Sequence, residues 1–448
     1  MKFRNIFPRV IGTDKKIKLH NGKTAKVVLL NNAATTPPFE KTLKKVNTFL
    51  ETYSAFHRGA GPHAQKTYEA VHESMQTIRD FLQARKDQSM VFAHNTSAVI
   101  NLFIRLLRLE KGDIILTSDI EHTSNNLPWR FNSKATVIYV NSTHDGALDY
   151  KDFEKKILLH KNKVKLVAIT GASNLTGYVP NIKKIVRLTH KYNALLFVDA
   201  AQLTPHRQIR MKSDGVDALA FSAHKIYAPF GIGVLVLPTS ILNRNPVDPG
   251  GGSIDMLSEE RVVWAPIESR HQTGTWNVTG IVALAESCRI LENVGWKNIY
   301  KHEAELVSYT VDKLSAIDGI TLYISPSAYK KENRIGTITF NLKGYHHALL
   351  ATILDAEYGI ETRAGTICNH RLVRRWFDIS DAEQAQIEKE IAKGKRLSSY
   401  GIVRASIGIH NTKKDIDVLV QALKNISSNG ASLKYRPNQS EEIYEPVL

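Results

Sequence analysis

Lys225 has the most chemistry gathered around it. It closes the run Ser222-Ala-His-Lys, which follows directly on the apolar segment Ala218-Leu-Ala-Phe. A second apolar segment, Ala194-Leu-Leu-Phe-Val, stops at Asp199, and a third, Val234-Leu-Val-Leu, begins after Gly231-Ile-Gly233. Short apolar runs bounded by turn residues read as buried strands, and functional groups collect where such strands end. An ammonium this close to a buried strand is costly unless it is neutralised or covalently engaged. Taken singly, the lysine reads equally as a solvated loop residue and the aspartate as a cap or turn former. Taken together they offer an amine for a Schiff base, a carboxylate to keep a pyridinium nitrogen protonated, and a hydroxyl and an imidazole for phosphate. That set suits pyridoxal phosphate (PLP).

Such groups need a frame. From about Ser89 to Pro238, short apolar runs alternate with helical segments. Val91-Phe-Ala, Ile114-Ile-Leu-Thr, Ala135 to Val140 and Val164 to Ile169 read as strands, and Asp149 to Leu159 and Ile182 to Tyr192 as helices. This alternation predicts an α/β architecture with a mostly parallel sheet. Glu286 to Val294 reads as a helix ended by Gly295. Beyond it the pattern changes: a long helix from Asn298 to Ile317, an antiparallel strand with one exposed face at Gly336 to Asn341, a strand at Val403 to Ile409, and a closing helix from Lys414 to Ile426. The expected layout is an N-terminal segment (1–26), a large cofactor domain (27–294), a smaller α+β domain (295–426) and an irregular tail (427–448).

Composition narrows the function classes. The 448 residues carry 60 Lys+Arg against 43 Asp+Glu, a net charge of +17, which favours acidic partners. The basic clusters, at Lys15 to Lys18, Lys155-Lys156, Lys161 to Lys165 and Arg371 to Arg375, are scattered and lack interleaved aromatics. They read as solvated surface or as a face for an acidic protein, and nucleic acid is disfavoured. No apolar run approaches a membrane span, and the basic start Met1 to Pro8 lacks a signal peptide's apolar core. Two cysteines, Cys288 and Cys368, make no disulfide framework, so a reducing cytoplasm is expected. No Gly-Xaa-Gly-Xaa-Xaa-Gly follows an early strand, which counts against a nicotinamide enzyme, and no metal site is expected.

An ordered set of motifs carries a closer resemblance. It runs through Leu29-Leu-Asn-Asn-Ala-Ala-Thr, His57-Arg-Gly, Asn95-Thr-Ser, Glu121-His-Thr-Ser-Asn, Ala172-Ser-Asn-Leu-Thr-Gly and Val198-Asp-Ala-Ala-Gln. It continues with Ser222-Ala-His-Lys, Gly250-Gly-Gly, Gly274-Thr-Trp-Asn, Arg363-Ala-Gly-Thr-Ile-Cys and Arg404-Ala-Ser-Ile-Gly-Ile-His-Asn-Thr. From about Val27 to Ile426 the chain resembles class V PLP enzymes of fold type I, and within them group II cysteine desulfurases and selenocysteine lyases. The resemblance implies that Lys225 bonds the cofactor and moves protons, Asp199 pairs with the pyridine nitrogen, His122 stacks on the ring and Gln202 meets the phenolic oxygen. Thr96, Ser97, Ser222 and His224 would hold the phosphate, and Thr275 would reach the phosphate of a second copy in a homodimer. Arg404, Asn174 and Arg363 fall at the substrate end, where an arginine fork matches a carboxylate. Cys368 would take sulfur from L-cysteine as a persulfide, leaving L-alanine, for delivery to an acidic acceptor protein.

Several residues keep a second reading. Thr96 and Ser97 suit a helix cap as well as a phosphate cup. His122 also suits a satisfied core histidine, Gln202 an ordinary polar loop, and Cys368 a structural cysteine, as Cys288 in its helical setting does. The sequence departs from the family pattern at Thr366 and Ile367 before the cysteine, at Asn369 to Trp376 after it, and at Ala228, Phe230 and Trp276. All of these lie near substrate or acceptor. Two alternatives follow: another class V reaction that does not use Cys368 (transaminase, C–S lyase, epimerase or kynureninase-like hydrolase), and a non-catalytic basic scaffold.

Overall fold

The buried apolar runs assemble into one seven-stranded sheet in this computed structural model, which describes residues 6–56 and 58–447. Met1 to Asn5 of the basic start, His57 of the His-Arg-Gly motif and Leu448 lie outside the described residues. The strands are β1 (Gln88–Ala93), β2 (Ile114–Ser118), β3 (Thr136–Val140), β4 (Val164–Thr170), β5 (Leu195–Asp199), β6 (Ala218–Ser222) and β7 (Gly233–Pro238). Their spatial order is β1-β7-β6-β5-β4-β2-β3. All neighbours are parallel except β7, which runs antiparallel to both β1 and β6.

Both faces of the sheet are covered, which is why its strands read as unbroken apolar runs. Leu196 and Val198 of β5 point into one core with Leu116 and Phe221. Phe197 between them points into the other, stacking on Phe103 at 5.1 Å and meeting Trp129 edge-on at 5.5 Å. The main helices are α1 (Pro62–Leu82), α2 (Thr96–Leu107), α3 (Tyr150–Leu159), α4 (Ile182–Lys191), α5 (Val278–Val294), α6 (Trp296–Ser315), α7 (His347–Tyr358), α8 (His370–Trp376) and α9 (Lys413–Asn429). Helix α3 starts where Asp149 accepts the N–H groups of Lys151 and Asp152, and α4 where Asn181 accepts that of Lys184.

The C-terminal part folds around a four-stranded antiparallel sheet, β8 (Ile320–Leu322), β9 (Thr337–Leu342), β10 (Arg363–Gly365) and β11 (Ile402–Ser406), in the order β8-β9-β11-β10. Val28 and Leu30 belong to this core, and Val28–Leu29 pairs in parallel with Ile360–Glu361. A buried carboxylate on α6 lies between the two sheets. Glu303 is contacted by His206 and Arg207 and accepts the N–H of Gly336 at 2.8 Å.

Two expectations change. The strand expected to expose one face is buried on both: Thr337 and Thr339 are as covered as Ile338 and Phe340. The tail is not irregular. After α9 ends at Asn429, β12 (Lys434–Asn438) and β13 (Ile443–Val447) form an antiparallel hairpin. Glu357 of α7 anchors it, accepting from Ser432 N at 3.0 Å, Ser432 Oγ at 2.6 Å and Tyr435 Oη at 2.8 Å.

Candidate active site

The carboxyl ends of β4, β5 and β6 place Thr170, Asp199 and Ser222 side by side. A cavity of about 320 Å³ opens there, in the position expected for a ligand site in an open α/β sheet. Lys225 follows β6 after one 3₁₀ turn, and Asn95, Thr96 and Ser97 come from the start of α2. His122 lies just beyond β2, Arg363 and Arg404 come from β10 and β11, and Cys368 from the turn before α8. Every candidate residue except Thr275 lines this one cavity. Thr275 is exposed on the loop before α5.

At one end, hydroxyls and a helix start converge. Thr96 N and Oγ1 both lie 2.6 Å from Ser222 Oγ, and Ser97 Oγ lies 2.6 Å from Ser124 Oγ. Asn95 caps α2 by accepting the N–H of Ala98 at 3.0 Å. Gly233 is required for this approach, since a Cβ there would stand 2.3 Å from the Asn95 carbonyl carbon. Free N–H groups at a twelve-residue helix start favour an anion. Burial holds His224 down at about 4, so its ring is neutral here at pH 7.

Deeper in, Asp199 accepts the N–H of Ala201 at 3.0 Å. Burial raises its pKa, opposed by that N–H and by Lys225. Burial lowers the pKa of Lys225, opposed chiefly by Asp199. The Lys225 amine has no hydrogen-bond partner among the described residues. His122 is neutral: burial first, then Lys225 and Arg404, push it down to about 3, and its Nδ1 accepts the Ser124 N–H at 3.1 Å. Gln202 donates from Nε2 to Ala33 O at 2.5 Å, leaving its Oε1 buried and unpartnered.

The other end is cationic. Arg404 is 2% exposed, yet no carboxylate among the described residues pairs with it. Its Nη1 donates to Asn174 O at 2.9 Å and its Nη2 to Asn31 Oδ1 at 3.3 Å, while Nε is unpartnered. Arg363 stands directly opposite it in the β10–β11 register. Like charges at such a pair repel. Burial and then Arg363 bring the Arg404 pKa down to about 9. An arriving carboxylate relieves both strains.

Cys368 is exposed at the cavity mouth, whereas Cys288 is buried in α5, where burial pushes its thiol well up. Ile367 and Cys368 both have left-handed backbones, with φ of 49° and 57°. For a β-branched residue this is an outlier held by its surroundings. Asn174 Nδ2 donates to Ile367 O and Thr123 N to Cys368 O, both at 2.9 Å. The Asn174 side chain therefore grips the cysteine turn in this structure.

Sequence reasoning passed over some lining residues. Ser124 sits two residues after His122 and bonds Ser97, a spacing that signalled a second hydroxyl. Ala33 and Ala34 come from the Leu29 to Thr35 motif, whose Asn31 holds Arg404 from behind the lining, and Ile367 gives the thiol an apolar neighbour.

Residues 28–419 match the aminotransferase class-V family. A probable cysteine desulfurase of Staphylococcus aureus (strain Mu50) is 33% identical over 92% of this chain and 93% of its own length. One from Halalkalibacterium halodurans is 33% identical over 89% and 92%. Among solved structures, the cysteine desulfurase of Thermococcus onnurineus NA1 superposes with a TM-score of 0.79 at 27% identity, covering 94% of this chain and 98% of that one. The Escherichia coli cysteine desulfurase CsdA gives 0.73 at 25%, covering 89% and 94%. With the sheet order, the strand-end cavity and these likenesses in agreement, the chain belongs to the aminotransferase class-V family and has its fold type I architecture.

Proposed function

We propose that the chain is a PLP-dependent cysteine desulfurase that moves sulfur from L-cysteine onto Cys368 and releases L-alanine. The observation that carries this reading is one cavity holding a lysine amine without a hydrogen-bond partner and two facing arginines without an ion-paired carboxylate among the described residues, together with an exposed thiol. The buried unpartnered atoms Gln202 Oε1, Asn174 Oδ1 and Arg404 Nε fit a polar occupant rather than an empty space.

Lys225 would hold PLP through its amine, Asp199 would meet the ring nitrogen, His122 the ring face, and Thr96, Ser97, Ser222 and His224 the phosphate. When bound, PLP supplies an electron sink for negative charge at the substrate Cα. Arg404 and Arg363 orient the substrate carboxylate, and Lys225 takes the Cα proton. Cys368, as thiolate, attacks the substrate sulfur. An S–S bond forms and the substrate Cβ–S bond breaks with its electron pair left on carbon; protonation at Cβ by solvent and return of the Lys225-held proton to Cα then complete alanine. The persulfide then waits at the mouth of the cavity.

Its position supports delivery to an acidic acceptor, because the exposed Arg371 follows on α8, beside Arg374 and Arg375, which are paired with Asp381 and Asp119. A homodimer is supported by the hairpin Ile254–Leu257/Val262–Trp264, which exposes Met256, Leu257 and Val263. The Thr275 loop lies beside it, with Gly274 N donating to Gly251 O at 2.7 Å.

The test is PLP-loaded protein with L-cysteine and a thiol reductant, scored for sulfide and alanine together. Equal amounts are expected, abolished by Lys225→Ala and by Cys368→Ala. Pyruvate in place of alanine, with turnover surviving Cys368→Ala, would mean a C–S lyase instead.

A further inference from the structure

We propose that Glu121 is a positioning residue that works as a neutral carboxylic acid: it fixes from within the turn that carries His122, and leaves Asp199 as the one anion at the base of the site. This rests on the reading that the cavity takes PLP.

Glu121 lies just past β2 and is 3% exposed. One carboxyl oxygen contacts Ser118 Oγ, and the other accepts from Asn125 Nδ2 at 2.6 Å. Asn125 is itself locked, receiving the Trp129 indole N–H at 2.7 Å on its carbonyl oxygen, and Trp129 is fully buried against Phe103 and Phe197. From β4 the backbone of Thr170 hydrogen-bonds the carboxyl; from β5 the charged group is Asp199, of the same sign. No cation pairs with Glu121 among the described residues. A buried carboxylate without a cation is disfavoured, and two neighbouring buried carboxyls do not both ionise readily. Asp199 is the one with a cation, since Lys225 acts on it. Burial outweighs the donors around Glu121 and raises its pKa to about 8.

The outer side of the same turn touches the chemistry. Ser124 N donates to His122 Nδ1, Ser124 Oγ bonds Ser97, and Thr123 N donates to Cys368 O. The Ser118–Glu121–Asn125–Trp129 chain is thus the inner anchor of a turn that touches a phosphate-end hydroxyl, a ring-facing imidazole and the cysteine loop. Ser118 Oγ and Asn125 Nδ2 both donate to the carboxyl in the structure; in the neutral acid the Ser118 hydroxyl turns to accept the acid's proton while Asn125 keeps donating. Glutamine can make the same two bonds with no charge to lose.

The experiment compares wild type, Glu121→Gln and Glu121→Ala by pH titration of the bound PLP absorbance, by PLP dissociation and by infrared spectroscopy. Glu121→Gln is expected to keep the titration midpoint and to hold PLP within about twofold, while Glu121→Ala loosens PLP about tenfold or more. A midpoint displaced by about one pH unit in Glu121→Gln, or a tenfold loss of PLP affinity there, overturns the proposal, because glutamine would then have removed a working charge. Infrared bands of protein carrying isotope-labelled glutamate read the protonation directly, with or without PLP and without any variant. A protonated-carboxyl band persisting at neutral pH in wild type supports the neutral acid; its absence overturns it. Failure of wild type to bind PLP would sink the cofactor reading and leave the infrared result to decide the state of Glu121.

Discussion

Arg404 is the side chain whose surroundings say most about its ligand. A guanidinium 2% exposed, bonded among the described residues to neutral oxygens alone and facing Arg363 across the strand pair, is an unbalanced charge awaiting an anion. Lysine in its place would keep the charge and lose the fork. Arg404→Lys is therefore expected to raise KM for the amino-acid substrate about tenfold or more while leaving the absorbance of bound PLP in place. An unchanged KM would mean that the substrate carboxylate binds elsewhere. Legibility at this scale was uneven. Residues at strand ends declared themselves because an apolar run stopped on a polar group, as at Asp199 and Ser222. The facing of Arg363 and Arg404 did not, because it depends on a pairing register between segments some forty residues apart. Glu121 stood within a quoted motif, but its role depends on Trp129, a full eight residues on and buried by a helix and a strand from elsewhere in the chain.

The elements repeat this contrast. The strands of the large sheet were plain because covering both faces makes each a continuous apolar run. Strand β9 misled because threonines alternate with apolar residues in Thr337 to Phe340, a pattern that imitates a wetted face; all four are buried. The C-terminal hairpin was hidden because its strands carry Pro437 and Pro446 and a mixture of polar residues. Its stability comes from elsewhere, through the Glu357 carboxylate receiving Ser432 and Tyr435. Those donors, with burial opposing them, hold the Glu357 pKa below the usual carboxylate range. Glu357→Ala should release the hairpin at a cost of about 1.5–3 kcal/mol, the scale of hydrogen bonds to a charged group. Limited proteolysis would then cut near residue 431 in the variant while PLP binding is kept. A hairpin equally protected in the variant would show that its apolar contacts suffice.

For the molecule as a whole, acid is the sharpest stress. Burial depresses seven histidines among the described residues, His122 to about 3, His224, His347 and His410 to about 4, and His271, His302 and His370 in the same direction. Unfolded, each would take a proton near 6.5. The stability these residues lend is complete above that value, and between about 6.5 and 4 the unfolded chain binds more protons than the native one. Each of the first four then removes roughly 1 kcal/mol of stability per pH unit. Glu121, raised to about 8, acts in the opposite sense, gaining stability as pH falls from about 8 to 4.5, and burial raises Asp199, Glu292, Asp355 and Glu361 in the same direction, but the depressed histidines are more numerous. Circular dichroism should show cooperative unfolding before pH 4, and urea midpoints should fall steadily below pH 6.5. A stability that stays flat down to pH 4 would mean that these imidazoles gain protons inside the fold.

The pairing of Val28–Leu29 with Ile360–Glu361 has a consequence for biosynthesis. The ribosome makes the first partner more than 300 residues before the second. At roughly 5–20 residues per second, Val28 and Leu30 stay without their native cover for about 15–70 s. Edge strand β1 waits too, since its neighbour β7 comes about 140 residues later. During translation the nascent chain therefore displays apolar strand edges that its own later sequence must reach, and a holdase that shields the first thirty residues should raise the yield of native protein more than one acting after release.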